Sequence, residues 1–209
     1  QLGAALATRM DKQIFNLGVA KALAEESDFV TSTAEIDNLD KTRSAKIIAT
    51  GSSAATTAGA EALETALVAA ATNFASKDVP FEDLTFFVKP EQFFWLQKQG
   101  ALLDTDFNPG GNGSRASGAI YKGYGFNIEW TNHLPSGVVT DQQKNNYSVD
   151  GTGVVALAMQ RDAIGTVLRQ GVQTETEYDV SRQGTLVVSK VVAGHGVLRP
   201  ECLAAIVDE

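Results

Sequence analysis

The chain has little with which to do covalent or metal chemistry. Among 209 residues there is one cysteine and there are two histidines. A lone cysteine, Cys202, cannot close an internal disulfide, which fits folding in a reducing cytoplasm. A transition-metal site needs Cys, His or carboxylate ligands that converge, and no spacing around His133 or His195 supplies them. No apolar run is long enough to cross a bilayer, and the chain does not start like a signal peptide. Basic side chains are outnumbered, 17 against 25 acidic ones, for a formal net charge of -8. That balance argues against a phosphate-binding groove, which needs clustered Lys and Arg. No repeat period and no low-complexity tract is present.

The few motifs that invite a chemical reading fall short of it. The stretch Gly110-Gly111-Asn112-Gly113-Ser114-Arg115 is glycine-rich but lacks the G-x-x-x-x-G-K-[ST] spacing of a phosphate loop, so it reads as a mobile surface loop. Asp104 and Asp106 hint at a calcium loop without its twelve-residue ligand series or closing Glu. No G-x-S-x-G elbow accompanies the histidines. His195 lies between two glycines and reads as a backbone bend, and Cys202 as a small buried hydrophobe. A small hydrolase using His133 or His195 is the enzyme alternative these residues leave open.

What the chain does contain is a regular α+β pattern. Hydrophobic residues make up 44% and charged ones 20%, ordinary for one domain or two small lobes. Leu2, Leu6, Met10, Ile14 and Leu17 recur at helical spacing and predict an amphipathic helix of about six turns, ending near Glu25–Asp28. No capping residue precedes it, so the sequence is expected to begin inside an element. Residues 28–57 read as a long connection with one short strand at Ile47–Ala49. A second helix is predicted over Thr57–Ser76, a strand with two apolar faces over Leu84–Val88, and a helix opened by Pro90 over Glu91–Gln99. Leu102–Gly118 and Ser136–Gly153 read as polar loops. A strand pair is predicted at Ala119–Lys122 and Phe126–Trp130.

The C-terminal stretch is the most informative. Val154–Met159 is an uncharged run suited to a strand buried on both faces. After the knuckle Gln160-Arg161-Asp162 the pattern becomes strict alternation. Val172, Thr174, Thr176, Tyr178 and Val180 share one parity; Gln173, Glu175, Glu177 and Asp179 share the other. One face is expected to pack and the other, with carboxylates at about 7 Å intervals, to meet solvent or a partner. Ser181–Gly184 is the expected turn and Leu186–Ala193 the returning strand, ended by Gly194-His195-Gly196.

The segment Arg161-x-Ala163-Ile164-Gly165-Thr166-Val167, the long charged hairpin and the ending Gly194-His195-Gly196-x-Leu198-Arg199-Pro200-Glu201 resemble the C-terminal region of major capsid proteins. The similarity is to those of short-tailed phages of the coliphage T-seven group. The resemblance implies an α+β fold of the Johnson, or Hong Kong ninety-seven, type. It places a spine helix and the hairpin in a peripheral lobe, 1–27 and 161–209, with an axial lobe, 28–160, inserted between them. It also implies an N-terminal arm and extended loop that this sequence does not contain. Function would be structural, without enzyme activity or cofactor: self-assembly into hexamers and pentamers of an icosahedral head around double-stranded DNA. Portal and scaffolding proteins would be partners, no membrane would be involved, and the virion, assembled in the bacterial cytoplasm, would be the location. An encapsulin-type nanocompartment shell is the alternative within that fold. The candidate subunit-contact residues are Glu175, Glu177, Asp179, Arg9, Lys12, Arg169, Arg182, Asp104, Asp106 and Arg115.

Overall fold

The computed structural model describes residues 2–24, 43–99, 113–114, 119–120, 122–140 and 147–209. In chain order it forms α1 (Leu2–Leu23), β1 (Ala45–Ile48), α2 (Thr57–Ser76), β2 (Leu84–Val88) and α3 (Pro90–Gln99). Short strands follow: β3 (Gly113–Ser114), β4 (Ala119–Ile120), β5 (Lys122–Gly123), β6 (Phe126–Trp130), β7 (Val138–Val139) and β8 (Val149–Asp150). The C-terminal part is β9 (Val154–Gln160), β10 (Ile164–Asp179), β11 (Gly184–Val197) and β12 (Leu203–Val207), with short 3-10 turns before β10 and β12.

A mixed six-stranded sheet in the order β1-β12-β9-β2-β6-β5 is the centre. β9 and β12 pair antiparallel in its middle, and every residue of β12 is buried. Strands covered on both faces need apolar side chains at successive positions, which accounts for the run Val154–Met159. Opposite faces are read directly from β2. Phe87 meets Phe15 of α1 edge-to-face at 5.0 Å, whereas its neighbour Phe86 points the other way, to Phe126, which also meets Phe74 of α2. Helix α1 therefore covers one face, and α2 with α3 beside it covers the other. Gly18 lets α1 settle onto the sheet, since a Cβ there would stand 3.3 Å from both Leu157 and Ile164.

Thr56 caps α2 by accepting from the Gly59 amide at 3.1 Å, and Pro90 opens α3, where its missing N–H costs nothing. The end of β12 is clamped to the loop before α2. The Asp208 carboxylate accepts from the amides of Gly51 (2.5 Å) and Ser53 (3.0 Å) and from the Ser53 hydroxyl. These donors hold it below the usual carboxylate range. Gly153, at φ +76, allows its carbonyl to accept from the Asp208 amide at 2.8 Å. A Cβ there would meet the Asp208 carbonyl oxygen at 2.7 Å.

Several sequence expectations change. Burial along α1 is confined to Asn16–Val19 and Ala22, so the N-terminal part of the apolar stripe is not core, and Leu2 is 46% exposed. Ala119–Ile120 pairs with Gly113–Ser114, inside the stretch read as a loop, and β5 replaces it as the partner of β6. The polar segment 136–153 contains the paired β7 and β8. Leu203–Val207, grouped with the hairpin by sequence, is hydrogen-bonded between β1 and β9 in the central sheet. The proposed end of the first helix at Glu25–Asp28 lies outside the described residues.

Two stability tests follow from this core. Leu157→Ala removes the side chain under Gly18 and should cost about 2–5 kcal/mol in denaturant unfolding. Asp208→Asn should lower stability at neutral pH, where the depressed carboxylate contributes fully. The difference from the parent should shrink as pH falls below about 4 and the parent carboxylate takes up its proton. A difference independent of pH would mean that the clamp does not depend on charge.

Candidate functional site

The long hairpin β10–β11 is the part of the molecule least covered by its own chain. At about 3.3 Å per residue, sixteen residues extend about 50 Å. The strands are antiparallel from Ile164↔Val197 to Asp179↔Gly184, with register shifts between Leu168 and Gln170 and between Gln170 and Gln173. Extra residues of this kind bend a ribbon and increase its twist. The knuckle Arg161–Ala163 is a 3-10 turn, and the two apolar stretches flanking it become β9 and the start of β10.

Only the base is supported. Along β11, Val191, Ala193, His195 and Val197 are half-buried on the side of α1, and the intervening residues are exposed. His195 thus lies within a strand, paired with Thr166, and is not the bend its flanking glycines suggested. Its Nδ1 is 2.9 Å from the Thr166 hydroxyl, and its amide donates to the Tyr147 hydroxyl at 3.1 Å. Nε2 is buried without a partner among the described residues, and burial lowers the pKa of the ring. His133 instead lies 3.6 Å from Asp11 of α1. The two histidines therefore have separate, structural surroundings.

Toward the tip both faces are bare. Val172 and Tyr178, on the parity expected to pack, are 61% and 62% exposed. The acidic parity is not purely polar, because cross-strand pairing brings Leu186 beside Glu177 and Val188 beside Glu175. Two of the three acids find partners in their own chain. Glu175 accepts from Lys190 at 2.6 Å, which lowers its pKa. Asp179 closes the turn, accepting from the Ser181 amide and hydroxyl, with the Arg182 guanidinium 3.7 Å away. Glu177 has no partner among the described residues.

Arg9 and Lys12 are brought together with Gln13, Asn16 and Tyr147 around a depression of about 190 Å³ beside α1. Arg169 lies on β10 in the region of the register shifts, apart from that group and without an ion pair among the described residues. Asp104, Asp106 and Arg115 lie outside the described residues. Cys202 is fully buried, donates to Gln160 at 3.1 Å, and has its thiol pKa pushed up to about 11 by burial. Such a thiol is no nucleophile at neutral pH. Among the described residues no group of three or more potential ligands could hold a metal, and no helix is long and apolar enough to cross a membrane. Sequence alternation did not reveal the Arg9–Lys12–Tyr147 depression, because it forms between elements about 130 residues apart.

A sheet covered on both faces carries a long ribbon whose two faces are open toward the tip, the form of a structural subunit. Residues 1–207 match the family model described as Gp10A-like: Major capsid protein. The chain is 26% identical over 190 residues to the major capsid protein of Escherichia phage T7, covering 82% of this chain and 54% of that protein. It superposes on the capsid structure of the cyanophage P-SCSP1u with TM-score 0.78 and 27% identity, over 100% of this chain and 64% of that one. The mature capsid of bacteriophage PhiM1 matches in fold at TM-score 0.72 and 16% identity, over 93% and 60% of the two chains. The chain belongs to the Gp10A-like family of major capsid proteins, virion shell components of tailed phages, and its α+β architecture is of the Hong Kong ninety-seven type. It spans about half the length of the T7 protein.

The His195 imidazole, its Nε2 buried without a partner among the described residues, gives a pH test. The unfolded chain binds the His195 proton more readily than the folded one, so its contribution to stability falls as pH drops below about 6.5. His195→Gln should flatten the dependence of stability on pH between about 5 and 7; an unchanged slope would assign that dependence to other groups.

Proposed function

We propose that this chain is the shell-forming part of a major capsid protein, which self-assembles into the hexamers and pentamers of an icosahedral head around packaged double-stranded DNA. Portal and scaffolding proteins act with it during assembly. The observation that carries this reading is the hairpin. A two-stranded ribbon is marginal by itself in water, yet this one exposes Val167, Val172, Tyr178, Val180, Leu186 and Val188 along its length. Apolar surface so distributed is stable and soluble when neighbours cover it. A shell made of identical copies provides such neighbours, each of several modest contacts being assisted once the others are fixed. The net charge of -8 suits a wall that encloses nucleic acid without gripping its sequence.

In this reading the hairpin and α1 form the peripheral lobe and the central sheet with α2 and α3 the axial one. The C-terminal strand β12 returns to the axial sheet. Loops at the sheet margins adapt to slightly different local environments.

Electron microscopy of the natural full-length protein after expression tests the proposal, with closed shells as the expected result. Leu186→Ser combined with Val188→Ser should leave the melting temperature of the unassembled subunit nearly unchanged, since both side chains are about half exposed, and should reduce particle yield. Soluble monomers at every concentration of the parent protein would overturn it.

A further inference from the structure

The depression beside α1 has a mostly apolar surface, to which Arg9, Lys12, Gln13, Asn16 and Tyr147 contribute hydrogen-bonding groups. Arg9, Lys12, Gln13 and Asn16 lie along one face of the helix, at spacings of three and four residues, and Tyr147 faces them from the opposite wall. Among the described residues no carboxylate lines the depression, and neither Arg9 nor Lys12 has an ion-pair partner. Tyr147 accepts from the His195 amide with its oxygen, so its own proton remains available to a further acceptor. Arg9, Lys12 and the Tyr147 phenol line about 190 Å³, room for one carboxylate and the apolar stem of its side chain.

The hairpin carries a carboxylate to match. Glu175 is satisfied by Lys190 and Asp179 by its own turn, while Glu177 between them is unpaired among the described residues. Glu177 shares its face with Leu186 and Lys190, on the side of the ribbon turned away from α1. Its own chain's depression is therefore out of its reach, and a second copy's is not. We propose that Glu177 of one subunit docks into the Arg9–Lys12–Tyr147 depression of a neighbouring subunit. This rests on the self-assembly reading and names one contact within it. The neighbouring Leu186 would bring apolar area to the contact, and its fixed cross-strand position would set the register. A polyanion such as DNA is the competing occupant; the chain's overall negative charge disfavours it.

The test is a charge reversal in the natural full-length protein, read as particle yield across a salt series and as the melting temperature of the unassembled subunit. Glu177→Lys and the pair Arg9→Glu with Lys12→Glu should each lower yield at low salt by roughly tenfold, with little change in melting temperature. All three together should restore yield to within about twofold of the parent, because the ion pair is rebuilt with its signs exchanged. Should a reversal variant fail to fold, Glu177→Gln and Lys12→Gln replace it and should give smaller losses in the same order. Normal yield from the single-side variants overturns the contact, as does failure of the combination to rescue. Normal shells from the helix variant that no longer retain DNA would assign the depression to the polyanion and overturn it too. A second arm separates the contact from the shell reading: Glu177→Cys mixed with Lys12→Cys should give a disulfide between copies under mild oxidation. Cross-linked copies without closed shells would retain the contact and remove the shell reading, and closed shells without the cross-link would do the reverse.

Discussion

Everything in the molecule is positioned by the need to cover both sides of β9 and β12. These central strands carry almost no polar side chain, so each face must be sealed by a helix. Leu157 and Leu203 reach toward Gly18 of α1, and Phe86 and Phe126 reach toward Phe74 of α2. The absence of a Cβ at Gly18 sets how closely α1 approaches, and that distance also decides where the base of the hairpin rests, because Ile164 touches the same point. One close contact therefore fixes sheet, helix and ribbon relative to one another.

The hairpin is the opposite case. Its base takes support from α1 and from Tyr147, and its tip takes none from the other described residues. Its polar groups have been largely satisfied locally, by a diagonal Glu175–Lys190 pair, a Thr174–Ser189 contact at 3.0 Å and the Asp179 turn. Those interactions keep the ribbon in register without requiring a covering layer. They leave the apolar side chains exposed and Glu177 without a partner among the described residues. A subunit with this distribution can be a stable monomer and still gain by association, since exposed ion pairs add little to folding while misplaced charges strongly disfavour docking.

Buried polar chemistry is sparse and structural. Cys202 is held neutral beside Gln160, and Lys89, half-buried with its pKa lowered by desolvation, donates to the Val154 carbonyl at 2.5 Å. Both tie the ends of β9 to neighbouring segments. Asp208 does the same for β12.

The sequence alone determined the local elements: Thr57–Ser76 as a helix, Leu84–Val88 as a two-faced strand and the long hairpin, because each is written in a period of 3.6 or 2 over enough residues. Its motifs from Arg161 to Glu201 also carried the family, since their spacing does not depend on knowing the packing. What it could not determine is which apolar residues meet. The stripe Leu2–Leu17 has helical spacing throughout, yet only its C-terminal end lies over the sheet, and burial depends on how far the neighbouring layer extends. Alternation along β10 could not show that both faces are open, or that Leu186 and Val188 join the acidic side, because that requires the register of the returning strand. Nor could it place β12 beside β1, or Arg9 and Lys12 opposite Tyr147. Those are contacts between segments far apart in the chain, and only the closed tertiary structure, which fixes distances that sequence spacing leaves free, decided them.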